Sequence, residues 1–80
     1  MENVEKLKIG IIGCGGIAQG RHIPAFQNLS HLAEIVAVQD VNQTLAKTVA
    51  DRFAIGTVFE SYEAMFEKVD AVAICTPNKF

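Results

Sequence analysis

Three continuous runs of apolar residues occur along the chain, and more polar segments separate them. The runs cover residues 9–12, 35–38 and 71–74. Apolar runs without alternating polar positions are typical of parallel strands that are covered on both faces. Between the second and third runs, Leu45, Val49 and Phe53 recur at i, i+4 and i+8, which places them on one face of a helix. The pattern therefore predicts a parallel sheet whose strands alternate with helices.

The predicted elements follow the order β-α-β-α-β-α-β. The strands are expected at residues 8–12, 34–39, 57–59 and 71–75, and the helices at residues 16–29, 42–53 and 61–67. Pro24 lies within the first helix, where a proline removes a main-chain hydrogen bond, so we expect an irregular or restarted turn near residues 21–24. Asn42 and Ser61 are suitable N-cap residues for the two later helices. Gly56 is expected to end the second helical unit.

The connections between these elements predict a doubly wound α/β sheet with strand order 3-2-1-4. Right-handed crossovers place the first two helices on one face of the sheet. The third connection returns past strand one, so the third helix lies on the other face, which only this short helix covers. Strand four has an unpaired outer edge. We therefore expect residues 1–80 to be a partial domain, the front portion of a longer protein whose later strands lie outside this chain.

A glycine-rich turn directly follows the first predicted strand. Gly13, Gly15 and Ala18 fit the pattern G-x-G-x-x-G/A, which in Rossmann folds joins a strand to a helix and binds a dinucleotide. Gly13 allows the sharp turn, Gly15 lets a pyrophosphate approach the main chain, and Ala18 lets the helix pack closely on the strands. Free N–H groups at the helix start, from about Gly16 and Ile17, then face the phosphates. A tight turn without a ligand is the simpler alternative, but the surrounding strand, helix and acid favour cofactor binding.

Asp40 closes the second predicted strand, 22 residues after Ala18. A carboxylate at this position accepts hydrogen bonds from the ribose hydroxyls and repels a 2′-phosphate, so it favours NAD over NADP. Neither Val41 nor Asn42, which follow it, is an arginine that would bind such a phosphate. The alternative is an acid at a strand end that helps to start the next helix. With the glycine motif present, we interpret Asp40 as the ribose ligand and expect NAD as the cofactor.

Composition and charge narrow the class of protein further. Hydrophobic residues make up 50% of the chain, the formal net charge is −2, and no apolar run reaches the roughly 18–20 residues that span a bilayer. With no secretion signal and no basic stripe, we expect a cytoplasmic protein that binds neither nucleic acid nor membrane. Cys14 and Cys75 form no metal-ligand or C-x-x-C motif, so we expect two reduced thiols and no metal site. A helix N-terminus is expected to lower the Cys14 thiol pKa, although a small side chain that fills the turn is the simpler interpretation.

Five segments of the chain together carry a family resemblance. They are residues 10–18, 22–25, 36–40, 61–63 and 69–78, and the last, with the pattern Asp-Ala-Val-x-Ile-x-Thr-Pro-Asn, is the most specific. In these segments the chain resembles the N-terminal cofactor domain of the Gfo/Idh/MocA family of NAD(P)-dependent oxidoreductases. The resemblance implies hydride transfer between NAD(P) and a sugar, inositol or related polyol, in a full-length protein that forms homo-oligomers. It also implies a C-terminal α/β substrate domain, which is absent from this chain. It also implies that the catalytic lysine of a Glu-Lys-Pro motif follows residue 80, so that residues 1–80 hold no catalytic residue and are inactive alone.

Thr76, Pro77 and Asn78 follow the fourth predicted strand. The carboxyl end of that strand lies next to the switch point of the sheet, where the nicotinamide half of the cofactor is expected. Pro77 by itself would explain a simple strand-ending turn. The family resemblance favours a role for these three residues in binding the cofactor or in the active site.

Other chemistry-bearing residues are weaker candidates. His22 and His31 are candidates because histidine is a common acid–base residue, but surface positions are the simpler interpretation. Tyr62 and Lys79 lack the Tyr-x-x-x-Lys spacing of short-chain dehydrogenases. Two function classes stay open: an oxidoreductase, and a module that binds or senses NAD(H) without turnover. A methyltransferase that uses S-adenosylmethionine is disfavoured by the G-x-G-x-x-A pattern and by the Thr-Pro-Asn end.

Overall fold

A computed structural model describes residues 6–16 and 18–75 of the chain. Its elements are the strands β1 (Leu7–Ile12), β2 (Ala33–Gln39), β3 (Thr57–Phe59) and β4 (Ala71–Ile74), a π-helical turn (Ala18–His22), and the helices α1 (Ile23–Gln27), α2 (Gln43–Phe53) and α3 (Tyr62–Phe66). All strand pairs are parallel, and the order in the sheet is β3-β2-β1-β4. The predicted fold class and strand order are therefore confirmed. Ile17 and the segment from Thr76 to Asn78 lie outside the described residues.

The first helical segment restarts where the proline predicts it. A π-helical turn covers Ala18–His22, and the α-helix proper begins at Ile23 with Pro24 in its first turn. A proline is tolerated in the first turn because the N–H groups there have no intrahelical acceptor, so its missing N–H costs no hydrogen bond. This helix ends at Gln27, two residues before the predicted end.

The two predicted N-caps are both present. The Asn42 side chain accepts a hydrogen bond from the Leu45 N–H at 3.0 Å, and the Ser61 hydroxyl accepts one from the Ala64 N–H at 3.3 Å. Each bond satisfies one of the main-chain donors that a helix start leaves free. The starts of α2 and α3 were therefore readable from the sequence.

The helix α2 ends at Phe53, as predicted, and Ala54, which follows it, takes the left-handed conformation. Ala54 has φ 58°, and the next residue, Ile55, donates its N–H to the Ala50 carbonyl at 2.8 Å. This is the hydrogen bond of a Schellman motif, which glycine usually forms. Ile55 is buried against the core. Its burial offsets the roughly 1–2 kcal/mol that a left-handed alanine costs.

The face of the sheet toward α1 and α2 carries the main hydrophobic core. Ile9 and Ile11 of β1 are buried together with Ile23 of α1 and Val49 of α2. The other members of the predicted α2 stripe, Leu45 and Phe53, pack at the edge of this core and are partly buried. The predicted apolar face of α2 is therefore confirmed.

A β-bulge changes which residues of β2 reach this core. The two strands pair in register up to Ile35, but the next residue of β1 pairs with Ala37, so Val36 is extra. Because side chains alternate between the faces of a strand, the extra residue brings both Ile35 and Val38 into the same core. Ala37 does not belong to this core, and it lines a separate cavity on the sheet.

The opposite face of the sheet is less well covered. The short helix α3 contacts β1, β2 and β3, and its Met65 lies directly over Gly10 of β1. A cavity of about 320 Å³ remains on the sheet; it is lined by Lys8, Val36, Ala37, Thr57, Phe59 and Lys68. Along β4 every residue is exposed or only half-buried, and Ile74 is 67% exposed. Among the described residues, this incomplete coverage agrees with the prediction that only the short third helix lies on this face.

Candidate dinucleotide-binding site

The glycine turn lies at the carboxyl ends of β1 and β2. Gly13 has φ 92°, a backbone conformation that side chains rarely adopt, and it donates its N–H to the Gln39 carbonyl at 2.8 Å. This hydrogen bond continues the pairing of β1 with β2 for one residue beyond the strand. A glycine is needed at position 13 because the chain must turn there while it stays attached to β2.

Gly15 is next to open space, in contrast to the buried residues around it. Among residues 6–16 and 18–75, no atom lies within 4 Å of a Cβ built on Gly15 or on Gly16. Ala18, three residues after Gly15, is completely buried in the core. The first and last small residues of the motif therefore serve the fold, whereas the middle one leaves space above the main chain.

Asp40 supports the turn from the side of β2. Its carboxylate accepts one hydrogen bond from the Cys14 N–H at 2.7 Å and a second from the Asn42 N–H at 2.8 Å. The bond to Asn42 is the helix-starting role that the sequence left as the alternative, and it is present. An ionised carboxylate has about four lone-pair sites, so acceptor capacity remains for a ligand.

Gln19 supports the same turn from the other side. Its side-chain amide donates to the Cys14 carbonyl at 3.0 Å, and Arg52 of α2 donates to its Oε1 at 2.8 Å. Neither residue was predicted as part of the site. No local motif joins Gln19 to Arg52, which lies 33 positions further along the chain.

A cavity of about 240 Å³ adjoins the turn. It is lined by Ile12, Gly13, Gln39, Asp40, Val41 and Tyr62. Val41 is 95% exposed and Tyr62 about half exposed, so both present apolar surface beside the Asp40 carboxylate. The sequence considered a catalytic role for Tyr62 only in a pair with Lys79, which lies outside the described residues. Its position as the first residue of α3 brings it to this edge of the sheet.

The Cys14 thiol does not have the lowered pKa expected for a helix N-terminus. Burial, followed by the negative charge of Asp40 and then Cys75, raises the pKa of the Cys14 thiol to about 11. The side chain is completely buried, and its sulfur lies 3.8 Å from the Gln39 carbonyl oxygen. Burial also raises the pKa of the Cys75 thiol. The expected lowering of the Cys14 pKa is therefore wrong, and Cys14 is a small side chain that fills the turn.

The remaining candidates lie away from this cavity. His22 and His31 are both exposed, and neither lines the cavity beside the turn. Across residues 6–16 and 18–75, no three His, Cys, Asp or Glu side chains are grouped so that they could hold a metal ion. Over the same ranges, no helix has both the length and the apolar character that crossing a membrane requires.

The parallel sheet and its glycine turn define a dinucleotide-binding Rossmann domain. Residues 7–80 match the Gfo/Idh/MocA profile of an oxidoreductase family with an NAD-binding Rossmann fold. The chain belongs to this family. It therefore carries the cofactor-binding fold of nicotinamide-dependent oxidoreductases.

Curated relatives extend well beyond the matched region. Glucose-6-phosphate 3-dehydrogenase of Bacillus subtilis is 37% identical over 71 residues, which are 89% of this chain and 19% of the relative. dTDP-3,4-didehydro-2,6-dideoxy-α-D-glucose 3-reductase of Streptomyces violaceoruber is 37% identical over 76 residues, or 95% of this chain and 22% of the relative. The chain thus spans about a fifth of the length of these relatives.

Solved structures share the same fold. An oxidoreductase from Thermotoga maritima matches with a TM-score of 0.79 at 44% identity, over 85% of this chain and 22% of that one. A 3-ketoreductase from Actinomadura kijaniata, in complex with NADP and TDP-benzene, has a TM-score of 0.74 at 36% identity, over 85% and 21%. Myo-inositol dehydrogenase from Lactobacillus casei, in complex with NAD(H) and myo-inositol, has a TM-score of 0.79 at 27% identity, over 90% and 22%. Proteins similar to this chain therefore include complexes with either dinucleotide.

Proposed function

We propose that the chain binds NAD(H) at the turn after β1, with the pyrophosphate over Gly15. The observation that carries this proposal is the open space above Gly15, directly beside a turn whose main chain is held by Asp40. A pyrophosphate needs close access to main-chain N–H groups, and only a residue without a side chain provides it. Gly16 and Ile17 at the start of the helical segment are proposed to donate to the same phosphates.

The adenosine half is proposed to occupy the cavity lined by Asp40, Val41 and Tyr62. Asp40 accepts hydrogen bonds from the ribose hydroxyls with the acceptor capacity that its two main-chain bonds leave free. The exposed apolar surface of Val41 and Tyr62 suits an adenine ring. On this proposal the Asp40 charge repels the 2′-phosphate of NADP, so NAD is the preferred cofactor.

The nicotinamide half is proposed to extend toward the carboxyl end of β4, where Thr76, Pro77 and Asn78 follow. When bound, the nicotinamide ring supplies the carbon that accepts or donates a hydride. The role of this chain is to bind and orient that cofactor. These three residues and Ile17 enter the proposal from the sequence, because they lie outside the described residues.

A titration with three dinucleotides tests the ribose contact. The purified protein and its Asp40→Asn variant would be titrated with NAD+, NADP+ and 2′-deoxy-NAD+, the last modified on the adenosine ribose, by calorimetry. We expect the unaltered protein to bind NAD+ about tenfold more tightly than either analogue, the size of one hydrogen bond to a charged group. In the variant both differences should shrink. Asp51→Asn, an exposed carboxylate on α2, is the matched control and should preserve them.

Comparison of ligands within one variant separates the ribose contact from the support of the turn. Because Asp40 also accepts a hydrogen bond from Cys14, its replacement weakens the binding of all three dinucleotides if the turn moves. Only a ribose contact makes the loss selective for NAD+. Equal or tighter binding of NADP+ by the unaltered protein would contradict the assignment of Asp40.

For the full-length protein we propose nicotinamide-dependent oxidation or reduction of a sugar, inositol or related polyol. The relatives' names support this reaction class, since they include a sugar phosphate dehydrogenase and an inositol dehydrogenase. Residues 1–80 expressed alone are proposed to reduce no NAD+ with any polyol, because the catalytic acid–base group lies downstream. Reproducible turnover by residues 1–80 would contradict this. A full-length protein that binds NAD+ but turns over no polyol would instead be the binding or sensing module.

A further inference from the structure

Two side chains from distant parts of the chain hold the two successive peptide groups that meet at Cys14. Cys14 donates its N–H to Asp40 on one side of the turn, and its carbonyl accepts a hydrogen bond from Gln19 on the other side. The main-chain N–H of Gln19 also donates to the Gly15 carbonyl at 3.0 Å. Gln19 therefore contacts two successive carbonyl groups of the turn, once through its side chain and once through its main chain.

The bond to the Cys14 carbonyl also sets the direction of the Gly15 N–H. A trans peptide is planar, and its C=O and N–H point to opposite sides. No cis peptide bond occurs in the described ranges. When Gln19 holds the carbonyl, the Gly15 N–H is therefore directed away from Gln19. Among residues 6–16 and 18–75, no main-chain carbonyl accepts a hydrogen bond from this N–H, so no carbonyl in this part of the chain competes with a phosphate oxygen for it.

Arg52 determines which end of the Gln19 amide reaches Cys14. A guanidinium group can only donate hydrogen bonds, and Arg52 donates to Gln19 Oε1 at 2.8 Å. The amide nitrogen is thereby left to donate to the Cys14 carbonyl. The guanidinium carbon of Arg52 also lies over the Phe53 ring, 5.1 Å from its centroid, in a cation–π contact.

We propose that Gln19 is a positioning residue that directs the Gly15 N–H toward the cofactor pyrophosphate, and that Arg52 acts through Gln19 by orienting its amide. This inference rests on the proposed binding of NAD(H) at the turn. It adds to that function a support outside the glycine motif, contributed by the π-helical turn and by α2.

The variant Gln19→Met tests the positioning role, because methionine has nearly the same length and no hydrogen-bond donor. Affinities for NAD+ and for adenosine would be measured by calorimetry and ligand-observed NMR. We expect Gln19→Met to lower the NAD+ affinity about tenfold, which corresponds to the loss of one hydrogen bond that orients the Gly15 N–H. Binding of adenosine, which has no phosphate, should stay within about twofold. Gln27→Met is the matched control: Gln27 also donates to a main-chain carbonyl, that of Phe53, but away from the turn.

A double variant tests the order in which the two residues act. If Arg52 acts only through Gln19, Arg52→Met weakens NAD+ in the unaltered protein but adds nothing to Gln19→Met. Additive losses would overturn the orienting role of Arg52. Unchanged NAD+ affinity in Gln19→Met, or an equal loss of adenosine and NAD+, would overturn the positioning role of Gln19. If the unaltered protein does not bind NAD+, the proposed function itself fails, and this outcome is distinct from the others.

Discussion

Gly10, in the middle of β1, and Gly15, in the turn after it, lack a side chain for different physical reasons. A Cβ on Gly10 would lie 2.9 Å from the Met65 Cγ and 3.3 Å from the Val69 Cγ1, whereas a Cβ on Gly15 would meet no atom of the described residues within 4 Å. The first glycine allows α3 to pack closely on the sheet. The second leaves the space above the main chain open among the described residues. The same residue type thus serves packing in one region and ligand access in the other.

The largest expected effect is on cofactor binding in Gly15→Val. The isopropyl group would occupy the path of the pyrophosphate, so we expect NAD+ affinity to fall by at least about 100-fold, or about 2.7 kcal/mol. The free energy of unfolding should stay almost unchanged, because the side chain enters open space. Calorimetry and urea unfolding measure the two quantities. Gly56→Val is the matched control, since a Cβ there also meets no atom within 4 Å. Wild-type affinity in Gly15→Val would remove the distinction between the two glycines.

Gly10→Ala should have the opposite profile. The added methyl group overlaps the Met65 side chain, so we expect the free energy of unfolding to fall by about 2 kcal/mol. The NAD+ affinity of the folded protein should remain unchanged, because the overlap lies beneath α3 and not at the turn. Urea unfolding checks the first expectation. If the overlap is the cause, Gly10→Ala should cost less stability in a Met65→Ala background than in the unaltered protein. Undiminished stability of Gly10→Ala itself would contradict this explanation.

Gly13→Ala should lower both the free energy of unfolding and the NAD+ affinity, because Gly13 belongs to the turn and also continues the pairing of β1 with β2. Its φ of 92° is unfavourable for alanine, so a loss of about 1 kcal/mol in unfolding free energy is expected. If the turn moves to relieve this strain, the binding of NAD+ should also become weaker. Gly13→Asn should lose less stability, since asparagine tolerates positive φ better. If alanine and asparagine behave alike in urea unfolding, backbone strain is not the cause.

The last expected effect is confined to alkaline pH and is the dependence of stability on the Cys14 thiol. The folded state raises the thiol pKa from 9.0 to about 11, so between these pH values the folded protein keeps a proton that the unfolded chain loses. The free energy of unfolding therefore decreases as pH rises through this window. Cys14→Ala should show a shallower decrease between pH 9 and 11 in urea unfolding. An identical slope in both proteins would mean that Cys14 is not protected from water beneath the turn.

The sequence alone determined the features that depend on neighbouring positions in the chain. The apolar runs predicted the strands, and connection handedness then predicted the order β3-β2-β1-β4. Asn42 and Ser61 were identified as caps because a cap bonds to a residue only three positions away. Pro24 predicted the restart of the first helical segment for a similarly local reason. The spacing of the glycine motif indicated the turn and the class of ligand.

Only the tertiary structure decided the features that depend on residues far apart in the chain. The bulge at Val36 follows from the pairing of β2 with β1, and the left-handed Ala54 from burial of its neighbour Ile55. The raised pKa of Cys14 results from burial and from Asp40, 26 positions away. The bond between Arg52 and Gln19 likewise needs α2 packed beside the turn. These features arise from packing energies between distant segments, which no local pattern of residues encodes.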